Sequence, residues 1–200
     1  MVRVAVLVSG GGTNLQALIN AQAAGELGCG QIVCVISSKP GVFALERAQK
    51  AGIPYCVIDK KQYSPGAFDM ALLDKLQSCD AQLVVLAGFL PIIGKPLIEH
   101  YPGRIINVHP SLIPAFCGTG FYGLKVHRAA LEKGVKVSGA TVHMVNEIPD
   151  GGEIILQKAV EVLEGDNPET LQQRIMEQAE WEILPKAVAM LCKKISEGIL

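Results

Sequence analysis

The chain has 200 residues, half of them hydrophobic and 18% charged, with a formal net charge of -1. These values fit one folded unit with a full core and exclude a disordered chain. The lack of an extended basic run argues against nucleic acid or an anionic membrane as a partner.

Apolar, β-branched runs alternate with helical patterns along the sequence. The first run, Val2–Val8, is too short for a signal peptide and enters a glycine turn rather than a cleavage site. Further runs follow at Gln31–Ser37, Tyr55–Ile58, Gln82–Ala87, Arg104–His109, Lys136–Val145 and Glu153–Leu163. Between them, helices are predicted over 14–25, 42–51, 66–78, 94–100 and 125–133. The first and fourth runs are nearly continuous in hydrophobicity, the pattern of strands covered by helices on both faces. The order predicts an α/β fold with right-handed crossovers, in which ligands gather at the carboxyl ends of the strands. A last helix starts at Asn167, a good N-cap, followed by Pro168 and Glu169. Leu171, Ile175, Ala179, Ile183, Ala187 and Leu191 recur every four residues as one buried stripe, and Pro185 is expected to kink the helix. No stretch reaches the roughly 20 apolar residues of a membrane helix. The six cysteines contain no C-x-x-C pair and are read as reduced thiols, so the chain is expected to be cytoplasmic.

Three motifs carry chemistry. The first strand ends in Ser9-Gly10-Gly11-Gly12-Thr13-Asn14 at a helix start. Three glycines allow a sharp turn that aims successive N–H groups at one point, and the helix dipole adds to them, so a phosphate is the expected guest. The dinucleotide pattern fails because Leu15 stands where a third glycine belongs, and no Gly-Lys-Ser/Thr is present, which leaves a monophosphate. A glycine turn without a ligand is the plainer alternative.

The fifth strand ends in Asn107-Val108-His109-Pro110. Residues two apart share a face, so Asn107 and His109 project together. An amide donor beside an imidazole suits acyl transfer, the pair holding a tetrahedral oxyanion and the ring moving a proton. A satisfied core histidine would look the same in isolation. Asp150, in Pro149-Asp150-Gly151-Gly152, lies in a tight turn; near His109 its carboxylate would raise the imidazole pKa and orient the ring. Taken alone, that segment is only turn chemistry. Among the remaining histidines, His143 is expected to be a structural partner of Thr141 or of nearby backbone, and His100 and His127 to be solvated on helices.

The ordered set of motifs resembles the phosphoribosylglycinamide formyltransferases of purine synthesis. The resemblance runs through residues 9–14, Leu86-Ala87-Gly88-Phe89, Gly103 to Leu112, Thr141-Val142-His143, Asp150-Gly151-Gly152 and Ile154-Ile155-Leu156-Gln157. It implies a three-layer α/β/α formyltransferase fold with a seven-stranded, mostly parallel sheet. It also implies a formyl transfer from 10-formyltetrahydrofolate, as cosubstrate, to the amine of glycinamide ribonucleotide, without a metal. On that likeness Asn107, His109 and Asp150 are the catalytic trio. Gly11, Gly12, Thr13 and Asn14 form the phosphate loop, Glu180 is the acid near the substrate ribose, and Leu90, Pro91, Ile92 and Ile93 grip the pterin beside Asn107. Residues 1–200 are then one formyltransferase domain, with a phosphate-binding half to about residue 100 and a catalytic half from about 101, acting as a monomer or weak homodimer. Four positions depart from the family pattern: Pro91 where arginine is common, Pro65 in place of a nearby basic residue, Asn146 where an acid is common, and a longer loop over Ala115–Gly123. The alternatives are a 10-formyltetrahydrofolate hydrolase, which normally carries an N-terminal regulatory domain, and a non-catalytic folate- or ribonucleotide-binding protein. A methionyl-tRNA formyltransferase would need a further C-terminal domain.

Overall fold

In the computed structural model, which describes residues 1–64 and 66–200, the first apolar run is β1 (Val2–Val8), and Arg3 is its only residue that is not buried. Pro65 lies outside the described residues. The side chains of β1 alternate between two cores. Val4, Val6 and Val8 pack with Leu15 and Leu18 of α1 (Thr13–Ala23), Ala44 and Ala48 of α2 (Phe43–Lys50), and the C-terminal helices α6 (Pro168–Ile175) and α7 (Trp181–Ser196). Ala5 and Leu7 pack with Phe68, Leu72 and Leu76 of α3 (Ala67–Ser78) and with Leu97 of α4 (Lys95–His100). Burial on both faces explains why β1 and β4 (Leu83–Leu86) lack polar alternation.

The seven strands form one sheet in the order β3-β2-β1-β4-β5-β6-β7. Strands β1 to β5 pair in parallel, including β2 (Gly30–Ser37), β3 (Tyr55–Val57) and β5 (Ile105–His109). Strand β6 (Val137–Met144) runs antiparallel to both β5 and β7 (Ile154–Glu161), and α5 (Leu124–Lys133) connects β5 to β6. The expected three-layer, mostly parallel architecture is therefore present. The chain leaves β1 toward β2 and β3, then crosses back to β4 on the other side, so the order reverses between β1 and β4. The connections leaving these two neighbouring strands run in opposite directions and open a crevice there.

The C-terminal helix begins as expected. The Asn167 side chain accepts from the Thr170 N–H, while Thr170 Oγ1 accepts from the Asn167 N–H. All six residues of the predicted stripe are buried. The helix α7 continues through Pro185, and a π turn, Met176–Glu180, stands just before it. Proline conflicts with the carbonyl four residues earlier, here Trp181, and the wide turn ends immediately before that residue. A correction concerns His127, which is fully buried on α5 instead of solvated, with neither ring nitrogen hydrogen-bonded among the described residues; burial lowers its pKa to about 4. Among the described residues no helix is long and apolar enough to cross a membrane.

Candidate active site

A cleft of about 430 Å³ opens at the carboxyl ends of β1, β4 and β5. Thr13, Asn14, the 90–93 strip, Asn107, His109, Asp150 and Glu180 all line it. Gly11 and Gly12 are not among the lining residues; Gly11 is exposed.

The glycine turn is shaped from behind by α2. The Ala44 N–H donates to the Gly10 carbonyl at 3.2 Å, and Arg47 Nε donates to the Gly11 carbonyl at 2.9 Å. In a planar trans peptide the N–H points opposite to the C=O. Drawing both carbonyls toward α2 therefore turns the N–H groups of Gly11 and Gly12 away from it. Among the described residues, no backbone acceptor takes the N–H groups of Gly11, Gly12, Thr13 or Asn14. The turn ends with Gly12 at φ 72°, where a Cβ would lie 2.6 Å from the Ala44 Cβ. Gly12→Ala should cost about 2 kcal/mol or more, from left-handed strain and this overlap, and should abolish anion binding at the turn. Thermal unfolding together with phosphate titration checks both effects, and a variant with wild-type values for both would refute them.

Glu180 reaches the same cleft because the π turn ends on it. It is almost fully buried, and Asn14 Nδ2 donates to its Oε2 at 2.7 Å, joining the first helix to the last across 166 positions. Burial pushes its carboxyl up to about 7, against the opposing effect of the Asn14 bond.

Asn107 and His109 share a face of β5, as the two-residue spacing requires. His109 Nδ1 lies 3.5 Å from Asp150 Oδ2, and Asn107 Nδ2 lies 3.5 Å from Asp150 Oδ1. Asp150 takes a left-handed backbone conformation at φ 55°, which aspartate tolerates. Gly152 follows it where a Cβ would overlap the Met144 carbonyl. Asn146, one of the departures, braces this turn: its Nδ2 donates to the Gly151 carbonyl and its Oδ1 accepts from the Ile148 N–H.

Burial pushes Asp150 up, but the His143 ring 3.5 Å away, the nearby His109 ring and the Gly118 N–H outweigh it and hold the carboxyl below its usual value. His109 behaves differently from expectation. Burial lowers its pKa, and Asp150 and the Phe116 carbonyl only partly oppose that. The predicted rise assumed that the carboxylate would dominate; enclosure of the ring reverses the net direction.

Two contributors were not anticipated. The antiparallel register sets His143 opposite Asn107. His143 Nδ1 donates to the Met144 carbonyl at 2.8 Å, which leaves Nε2 to accept from Asn107 Nδ2 at 3.2 Å. The expectation of a backbone partner is met at Met144, whereas the Thr141 hydroxyl turns instead to the Ser111 carbonyl. The strand partner alone could have revealed the contact with Asn107, and that requires knowing the register. The second contributor is the 115–123 loop, which folds over the trio. The Phe116 carbonyl accepts from His109 Nε2 at 2.8 Å, and the Gly118 N–H donates to Asp150 Oδ2 at 2.8 Å.

The apolar strip forms another part of the cleft lining. Leu90 and Ile92 are half exposed or more and Ile93 is buried; the Leu90 N–H donates to Ser9 Oγ, which ties the strip to the start of the glycine turn. Pro91 contributes no cation there.

The model of one protein family, described as formyl transferase, matches residues 2–188. The chain belongs to the formyl transferase family. Within this family, it is 40% identical to the phosphoribosylglycinamide formyltransferase of Haemophilus influenzae, covering all of this chain and 90% of that protein. It is also 46% identical to the trifunctional purine biosynthetic protein adenosine-3 of Drosophila pseudoobscura pseudoobscura, over 98% of this chain but only 14% of that longer protein. The crystal structure of glycinamide ribonucleotide transformylase 1 from Symbiobacterium toebii superposes with a TM-score of 0.91 at 44% identity, covering 96% of this formyl transferase and 88% of the other chain. Phosphoribosylglycinamide formyltransferase from Bacillus halodurans superposes at 0.88 with 39% identity, over 96% of each chain.

Proposed function

We propose that the chain transfers a formyl group from 10-formyltetrahydrofolate to the amine of glycinamide ribonucleotide, a reading supported by the names of its relatives as far as the formyl group and its acceptor. The observation that carries this reading is the convergence, around one cleft, of an amide, an imidazole and a carboxylate with a turn of free N–H groups and a buried acid. The substrate phosphate sits against Gly11, Gly12, Thr13 and Asn14, and Glu180 accepts from the ribose hydroxyls. The flat pterin lies against the 90–93 strip and Val145, Asn146 and Ile148, which line the same cleft.

The amine attacks the formyl carbon, and the developing oxyanion is held by Asn107 and His109. Asn107 has one amide hydrogen engaged by His143; the other, only weakly directed to Asp150, is available to the oxyanion. His109 Nε2 is held by the Phe116 carbonyl, so its use requires the 115–123 loop to withdraw that carbonyl. Asp150 orients His109 and relays a proton from the attacking nitrogen to the departing folate nitrogen. The two halves of the chain act as one unit, because each supplies part of the cleft.

Formyl release from 10-formyltetrahydrofolate, measured with and without glycinamide ribonucleotide, tests the assignment. Release that depends on the ribonucleotide and yields its formyl derivative is expected. Release at the same rate without it would make the protein a hydrolase, and no release in either case would make it a binding protein.

A further inference from the structure

Among the described residues no lysine or arginine lines the cleft, yet Glu147, Asp150 and Glu180 all line it. A phosphomonoester carrying up to two negative charges would enter a site whose side-chain charges are all acidic. Free N–H groups and one helix dipole supply only partial positive charge. The nearest cation joined to the glycine turn stands behind it: Arg47 Nε donates to the Gly11 carbonyl at 2.9 Å and Nη1 to Gln16 Oε1 at 2.9 Å. The Phe43 ring lies 4.8 Å from its guanidinium carbon, and the Arg47 side chain also borders a second cavity of about 580 Å³ that shares Thr13 with the cleft.

We propose that Arg47 is the positioning residue of the phosphate site, acting through the Gly11 carbonyl. Its fork performs two tasks from one place. It draws the Gly11 carbonyl backward, which turns the Gly12 N–H forward to the phosphate. It also puts a permanent positive charge behind the peptide that meets the anion, offsetting the acidic side chains that line the cleft. Lysine supplies the charge without the planar fork, so the two tasks separate by substitution. This inference rests on the ribonucleotide assignment above.

The test compares wild type with Arg47→Met and Arg47→Lys. Steady-state kinetics with glycinamide ribonucleotide and 10-formyltetrahydrofolate are paired with titration of inorganic phosphate into the ligand-free protein by calorimetry. In Arg47→Met, KM for the ribonucleotide should rise about tenfold or more, kcat at saturation should stay within about twofold, and KM for the folate should not move. Phosphate affinity should fall in parallel, and Arg47→Lys should recover part of both losses. The wild-type KM for the ribonucleotide should climb more steeply with salt than that of Arg47→Met. An unchanged ribonucleotide KM and phosphate affinity in Arg47→Met would overturn the proposal, as would a loss of kcat and melting temperature in step with no rescue by lysine, the mark of a merely structural arginine. If wild type fails to formylate the ribonucleotide but still binds phosphate in an Arg47-dependent way, the substrate assignment fails and the role of Arg47 in anion binding stands.

Discussion

Replacing His109 with alanine should lower kcat for formyl transfer by about a thousandfold or more, with little change in ribonucleotide affinity. The ring is an oxyanion donor, which contributes roughly 10²–10³, and it is the group that Asp150 pairs with while relaying the proton, a task worth roughly 10²–10⁴. The ring is buried and lies 3.5 Å from Asp150, so its removal leaves a cavity beside a carboxylate that has lost one partner. Asp150→Asn should reach a comparable loss of kcat without the cavity, because the amide keeps the volume and loses the charge. The pH profile separates the two groups. His109 is held below its usual pKa, and Asp150 below the usual carboxylate range. At saturating substrate, kcat should therefore be flat through neutral pH and fall only in acid, where His109 becomes charged. Removal of the Asp150 charge should move that acid limb still lower, since the carboxylate is what supports the charged ring. A His109→Ala enzyme with wild-type kcat, or an acid limb that stays put in Asp150→Asn, would end the assignment of these roles.

Glu180→Gln should make the protein more stable and a poorer enzyme at the same time. The carboxyl is buried, and its pKa rises from 4.5 to about 7 in the folded state. A folded state that holds its proton more tightly than the unfolded chain is favoured at low pH. The Glu180 contribution is therefore fully present below 4.5 and is lost as pH rises through about 7. Above that, the buried carboxylate costs about 3 kcal/mol relative to a neutral group. Glutamine keeps an oxygen to accept from Asn14 and removes the charge. Its melting temperature at pH 8 should exceed that of wild type by roughly 5–10 °C, and the gap should close near pH 5. KM for the ribonucleotide should rise about tenfold, because a charge-assisted acceptor for the ribose hydroxyls is replaced by a neutral one. In wild type the same KM should climb as pH falls below about 7. Melting curves at the two pH values decide the matter; an equal gap at both would show that the carboxyl is not held in its neutral form.

The stability of Glu180→Gln is the kind of effect that favours function over folding. The chain keeps a destabilising acid at a place where the C-terminal helical segment meets the glycine turn, and the π turn that ends on it is a second local departure from regular structure.

Local chemistry alone determined much of this protein. The continuous hydrophobicity of Val2–Val8, the glycines at 10–12, the Asn167 cap and the four-residue stripe from Leu171 to Leu191 each depend on neighbours within a few positions, where strand and helix periods act. The two-residue spacing of Asn107 and His109 belongs to the same class. Tertiary structure decided the rest. Asn107 meets His143 across 36 positions and Asp150 across 43, and Asn14 meets Glu180 across 166. These meetings depend on strand order and on an antiparallel register that no local period encodes. Burial, too, is a property of the assembled layers. It reversed the pKa direction expected for His109, enclosed His127, and raised Glu180, because the cost of desolvating a charge is set by everything packed around it and not by the residues beside it in the chain.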